Sequence, residues 1–170
     1  MTIYPEAYLE NILEIDVAFL SEKGIKGLIL DVDNTLIDLD KKMLPGTVVW
    51  ANKLKSAGIK LCILSNSNKK DKVKKVASDL DIPYFYFGKK PLKGGFKKIL
   101  NLFELSAHEI GVVGDQIMTD IIGARRCKMY PILVKPINEK DIWITKIKRP
   151  LEQKIINRYQ KKKEIGEIKK

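Results

Sequence analysis

The segment Asp31-Val32-Asp33-Asn34-Thr35-Leu36 sets two carboxylates two residues apart, directly after the apolar run Gly27-Leu28-Ile29-Leu30. A strand buried on both faces rarely ends in an acid pair unless a cation or a reacting group is held there. At that spacing both carboxyls can face one substrate. Their repulsion and a nearby cation push their pKa values apart, so that one serves as nucleophile or base and the other as acid. Phosphate esters hydrolyse very slowly unaided. A carboxylate that attacks phosphorus forms an acyl phosphate, which water then cleaves.

The remaining polar groups complete such a site. Ser65-Asn66 follows the apolar run Ile59–Leu64, Lys90 lies in the loop after Tyr84–Phe87, and Asp115 follows Ile110-Gly111-Val112-Val113-Gly114. An anionic nucleophile repels a phosphate dianion, so a hard cation is needed, and magnesium suits oxygen ligands. Asp31 and Asp115 can supply its carboxylates. The Ser65 hydroxyl and nearby backbone N–H groups can hold phosphate oxygens. Lys90 can neutralise the charge of the transition state. Taken singly, each group has a plainer reading. Ser65 and Asn66 read as a helix cap, Lys90 as a surface lysine, and Asp115 and Asp120 as turn and cap residues. Only the ordered set reverses these readings. A calcium loop is excluded, because glycine at loop position 6 and glutamate at position 12 are missing. His108, the only histidine, reads as an exposed turn residue.

The elements that must position these groups alternate. Helical patterns surround Val49, Trp50 and Leu54; Val73, Val76 and Leu80; and Phe96, Ile99 and Phe103. Another helix is expected near 119–126 and a further strand at 131–134. Buried strands alternating with helices predict an α/β fold, a doubly wound and mainly parallel sheet with helices on both faces. In such sheets ligands bind beyond the carboxyl ends of the strands. The spacing of Tyr8, Leu9, Ile12 and Leu13 after Pro5 predicts an N-terminal helical segment within residues 1–24. A domain is expected over 1–148, followed by a basic amphipathic helix over 149–170 that starts near Pro150. There Leu151, Ile155 and Tyr159 recur at helical spacing beside Ile156. Trp143 reads as an interfacial anchor or as packed against the domain.

Asp31-x-Asp33-x-Thr35, Ser65-Asn66, Lys90-Pro91 and Gly114-Asp115 with Asp120 resemble, in order, the four motifs of haloacid dehalogenase (HAD) phosphatases. The chain is most similar to the YqeG group of subfamily IIIA, some relatives of which are phosphatidylglycerophosphate phosphatases. The resemblance covers roughly residues 1–150. It implies that Asp31 is the nucleophile and a magnesium ligand. Asp33 would be the acid/base, with its backbone carbonyl on the metal. Ser65 and Asn66 would bind phosphate, Lys90 would stabilise it, Asp115 would ligate magnesium, and Thr35 and Asp120 would lend support. Only 31 residues separate Asp33 from Ser65 and 24 separate Ser65 from Lys90. One helix and one strand fill each gap, so the resemblance implies a capless enzyme with an open site. Such a site admits phosphate on a large molecule, and a second subunit can also close it.

The formal net charge is +11, and residues 135–170 hold 12 basic and 5 acidic residues. This basic end suits an anionic partner or a solvated helix. Cys62 and Cys127 match no metal spacing and read as buried free thiols. No secretory signal or membrane-spanning run is present, so a cytoplasmic protein is expected, peripheral at the inner membrane face if the tail docks there. The first reading is a magnesium-dependent phosphatase acting on a membrane lipid headgroup such as phosphatidylglycerophosphate. Two others stay open: a phosphatase of nucleic-acid ends or another macromolecule, and a non-catalytic ribosome- or RNA-associated binding protein.

Overall fold

The computed structural model describes residues 2–138 and 143–166, apart from the side chains of 143–149. Six parallel strands form one sheet: β1 (Ala7–Leu9), β2 (Gly27–Leu30), β3 (Lys60–Leu64), β4 (Tyr84–Phe85), β5 (Ile110–Gly114) and β6 (Tyr130–Val134), in the order β1-β6-β5-β2-β3-β4. The chain runs outward in one direction through β3 and β4 and in the other through β5 and β6. The order therefore reverses at β2, where a doubly wound sheet opens a crevice beyond its carboxyl edge.

Successive side chains of a strand point to opposite faces, and each face has its own core. Leu28, Leu30, Ile63 and Val113 pack with residues of α1 (Val17–Glu22), α2 (Thr47–Ser56) and α3 (Lys70–Leu80). Ile29, Cys62, Leu64 and Val112 pack on the other face with Phe96, Ile99 and Phe103 of α4 (Lys93–Phe103) and Ala124 of α5 (Ile122–Arg126). Burial pushes the Cys62 thiol up to about 12, which makes it an inert core residue. Residues 34–64 and 66–89 are used by a short turn with α2 and β3, and by α3 and β4, leaving no cap domain in either stretch.

The N-terminal helical segment expected within residues 1–24 is corrected in part. Ala7–Leu9 is a strand that pairs with Ile132–Val134, Ile12–Glu14 is a single 3-10 turn, and only α1 is helical beyond it. The edge of β6 offers unpaired backbone groups, and hydrogen bonding to them outweighs the helical spacing of the side chains.

The last helix, α6 (Trp143–Glu164), begins before Pro150 and contains it. Its apolar stripe packs inward: Ile155 and Tyr159 are buried, and the Tyr159 ring lies 6.0 Å from that of Tyr4. Leu151 stays exposed. The Trp143 side chain lies outside the described residues.

Candidate active site

Asp31, Ser65 and Asp115 directly follow β2, β3 and β5, three adjacent interior strands. The backbone N–H of Asp31 extends the ladder to Val113 O (2.9 Å), and that of Ser65 extends it to Phe85 O (3.0 Å). Asp120 reaches the same place from a π-helical turn, Ile117–Ile121. Such turns cluster at functional sites because the extra residue re-aims a side chain. Gly114 makes room for it: a Cβ there would lie 2.2 Å from Asp120 Cγ.

The result is a compact, charged cluster. Asp31, Asp115 and Asp120 each place one carboxylate oxygen within 4.8 Å of the others. Lys90 Nζ donates to Asp31 Oδ1 (2.6 Å) and to Asp120 Oδ1 (2.7 Å), and its side chain is only 3% exposed. Burial pushes the Asp31 carboxyl up to about 7; Lys90 opposes the rise and Asp120 adds to it. Burial, then Asp31 and Asp120, hold Asp115 well above the usual carboxylate range. Burial disfavours the Lys90 ammonium, but Asp120 and Asp31 outweigh it and raise its pKa above the ordinary lysine value. One ammonium cannot balance two buried carboxylates and a third that is part-buried beside them. This oxygen-only set, short of positive charge, fits a divalent cation.

The neighbouring residues depart from expectation in instructive ways. The Asp33 carboxylate is not part of the cluster; it is half exposed and accepts from Lys72 Nζ at 2.6 Å. Asn66, expected on the phosphate, is spent on the Lys90 main chain. Its Nδ2 donates to Lys90 O (2.9 Å) and its Oδ1 accepts from Lys90 N–H (2.6 Å). A side chain bonded at both ends of its amide positions the loop, and its second Nδ2 hydrogen is left over from these two bonds. Ser65 is fully buried, and its Oγ accepts from Ser67 N–H (3.1 Å). Thr35 Oγ1 lies 3.5 Å from Asp115 Oδ1. His108 sits before β5, at the opposite edge of the sheet.

Two further residues bear on the site. Lys72 is one of five lysines between 69 and 75, and nothing local in the sequence sets it apart; α3 alone turns it toward Asp33. Glu152 of α6 is buried, and its Oε1 accepts from Met118 N–H (3.1 Å) in the π-helical turn that carries Asp120. It stood in the sequence as one acid in a basic stretch.

The sequence pattern of the family described as Mitochondrial PGP phosphatase matches residues 1–137. The chain belongs to this family. The probable phosphatase YqeG of Bacillus subtilis is 35% identical over 162 residues, covering 95% of this chain and 94% of that protein. Phosphatidylglycerophosphate phosphatase 1 of Arabidopsis thaliana is 24% identical, covering 94% of this chain and 49% of that longer protein. A HAD phosphatase from Thermococcus onnurineus shares the fold, with a TM-score of 0.51 and 22% identity over 60% of this chain and 50% of that one. The chain is thus a YqeG-type phosphatase related to PGP phosphatases, and the expected α/β architecture is the observed one.

Proposed function

We propose that this phosphatase hydrolyses a phosphomonoester through a phosphorylated Asp31, with magnesium, on a lipid such as phosphatidylglycerophosphate. The observation that carries this reading is the buried Asp31–Lys90–Asp120 chain beside Asp115, at the open carboxyl edge of the sheet. Asp31 Oδ attacks phosphorus, and the bond from phosphorus to the ester oxygen breaks. Asp33, half exposed beside this centre, donates a proton to the leaving oxygen. It then takes a proton from the water that cleaves the acyl phosphate, releasing phosphate and restoring Asp31. Ser65 donates its hydroxyl to a phosphate oxygen, Asn66 fixes the Lys90 backbone, and Lys90 offsets charge on the phosphoryl group. Asp31, Asp115, Asp120 and the Asp33 carbonyl would hold magnesium, which offsets the repulsion between Asp31 and the phosphate dianion.

A lipid substrate agrees with the two short inter-motif segments, which leave the site open, and with the phosphatidylglycerophosphate phosphatases among the relatives. In this reading the protein works in the cytoplasm at the inner membrane face. No described helix is long and apolar enough to cross a membrane. The test is phosphate release, with magnesium, from phosphatidylglycerophosphate in mixed micelles, from sugar phosphates and nucleotides, and from a 3′-phosphorylated oligonucleotide. The lipid should be turned over fastest; a preference for the oligonucleotide or a sugar phosphate would overturn the lipid assignment.

Asp115 gives a separate prediction. Asp115→Asn should raise the magnesium concentration for half-maximal rate by about 10-fold or more, with part of the rate restored at saturation. A magnesium titration of the initial rate checks this. An unchanged midpoint would remove Asp115 from the metal site.

A further inference from the structure

Tyr86, Phe87 and Leu92 are 41%, 54% and 52% exposed, and they fall within one short stretch of chain beside the site. That stretch is fixed at its base. Phe87 N–H donates to Ser67 O (2.8 Å), Gly88 N–H to Ser65 O (2.8 Å) and Lys90 N–H to Asn66 Oδ1 (2.6 Å). A Cβ on Gly88 would lie 2.6 Å from Leu64 Cδ1, so the loop sits directly on the core. One loop thus carries a buried ammonium that reaches Asp31 and, within a few residues of it, three large apolar side chains in water.

Phe87 adopts φ +51°, a left-handed backbone that bulky residues seldom take. Such outliers persist where the surroundings enforce them, and they gather at ligand-contacting positions. With more than half its surface exposed, the Phe87 ring adds little to the core. The chain around these side chains is basic. Residues 82–103 contain five lysines and no acid. Lys69, Lys70, Lys89 and Lys93 are exposed, and Lys70 and Lys89 place Nζ 5.8 Å and 5.1 Å from the rings of Tyr86 and Phe87. Aromatic and aliphatic tips among ammonium groups match the layered chemistry of an anionic bilayer surface, apolar just below the phosphates and negative at them. The basic tail, for which a membrane contact and internal packing both stood open, turns Ile155 and Tyr159 into the domain.

We propose that Tyr86, Phe87 and Leu92 form a docking loop that enters the surface of an anionic bilayer, with Lys70, Lys89 and Lys93 against lipid phosphates. The inference rests on the lipid-substrate reading and adds how the open site reaches its substrate: the loop that carries Lys90 also anchors the mouth of the site at headgroup depth.

Sedimentation of the full chain with vesicles tests it, using phosphatidylglycerol with phosphatidylcholine and phosphatidylcholine alone, at low and high salt. Wild type should bind the anionic vesicles, less so at high salt. The triple variant Tyr86→Ser, Phe87→Asn, Leu92→Ser should bind about 10- to 100-fold more weakly, while its turnover of soluble p-nitrophenyl phosphate is unchanged. Lys89→Glu with Lys93→Glu, which alters only exposed charge, should also weaken binding at low salt. Lys154→Gln, Arg158→Gln, Lys161→Gln on α6 should bind as wild type does. No vesicle binding by wild type, equal binding by the loop variants, or loss only in the α6 variant would overturn the docking loop. The vesicles contain no phosphomonoester, so failure of the substrate assignment would register separately, as retained binding without hydrolysis of phosphatidylglycerophosphate.

Discussion

Asp31→Asn protein should fold as wild type does and turn over substrate about 10⁴-fold more slowly. The exchange is nearly isosteric, and the amide oxygen can still accept from Lys90 Nζ, which lies 2.6 Å from Asp31 Oδ1. What disappears is the anionic oxygen that would form the bond to phosphorus. Burial holds that carboxyl at about 7, and the Lys90 ammonium beside it favours the anionic form that would attack. Circular dichroism reports the fold, phosphate release reports the rate, and brief exposure to labelled substrate reports covalent phosphate on the protein. Wild-type turnover by Asp31→Asn would exclude the covalent route.

Lys90→Met should be costly for stability as well as for rate. Its ammonium is the group that bridges Asp31 and Asp120. Removing one partner of a buried pair leaves the other charge without compensation, at about 3 kcal/mol or more. For a chain of this size that lowers Tm by about 10 °C. Turnover should fall by about 10²- to 10³-fold, the scale lost when one charge-stabilising group is removed from a reacting centre. Magnesium should recover part of the lost Tm, because it supplies positive charge to the same carboxylates. Thermal unfolding with and without magnesium, alongside initial rates, checks both parts. Unchanged Tm and rate would mean that the Lys90 contacts contribute nothing.

Much of this could be read from residue order, and the parts that could not share a cause. Strands β2, β3, β5 and β6 are short apolar runs between turn signals, and the acids that follow β2 and β5 stand out because buried strands seldom end that way. Asp31 and Asp115 were legible on that ground and Lys90 and Asp120 only through the ordered motif set; Asp120 lies in the carboxylate cluster itself where a supporting position was expected. β1 was not legible. Three residues are too few to show alternation, and β6, the partner that decides their conformation, lies far along the chain. Lys72 and Glu152 were missed for a related reason. Each is one charged residue among many on a helix, and only the packing of that helix selects it. Asn66 was identified as a site residue, but its role depends on the return of the Lys90 loop.

The seating of β1 also bears on how the protein is born. As the chain is synthesised β1 emerges before any other strand, yet its hydrogen-bonding partner, β6, emerges after the other four. β2, β3 and β5 can pair and set Asp31, Ser65 and Asp115 side by side while β1 is still waiting. The reacting centre can therefore be assembled on the ribosome ahead of the sheet's rim. Closing the β1 edge is then a late, long-range step, the kind that sets the pace of folding. Until β6 arrives, Ala7–Leu9 is an unpaired edge that a chaperone or a neighbouring nascent chain can capture.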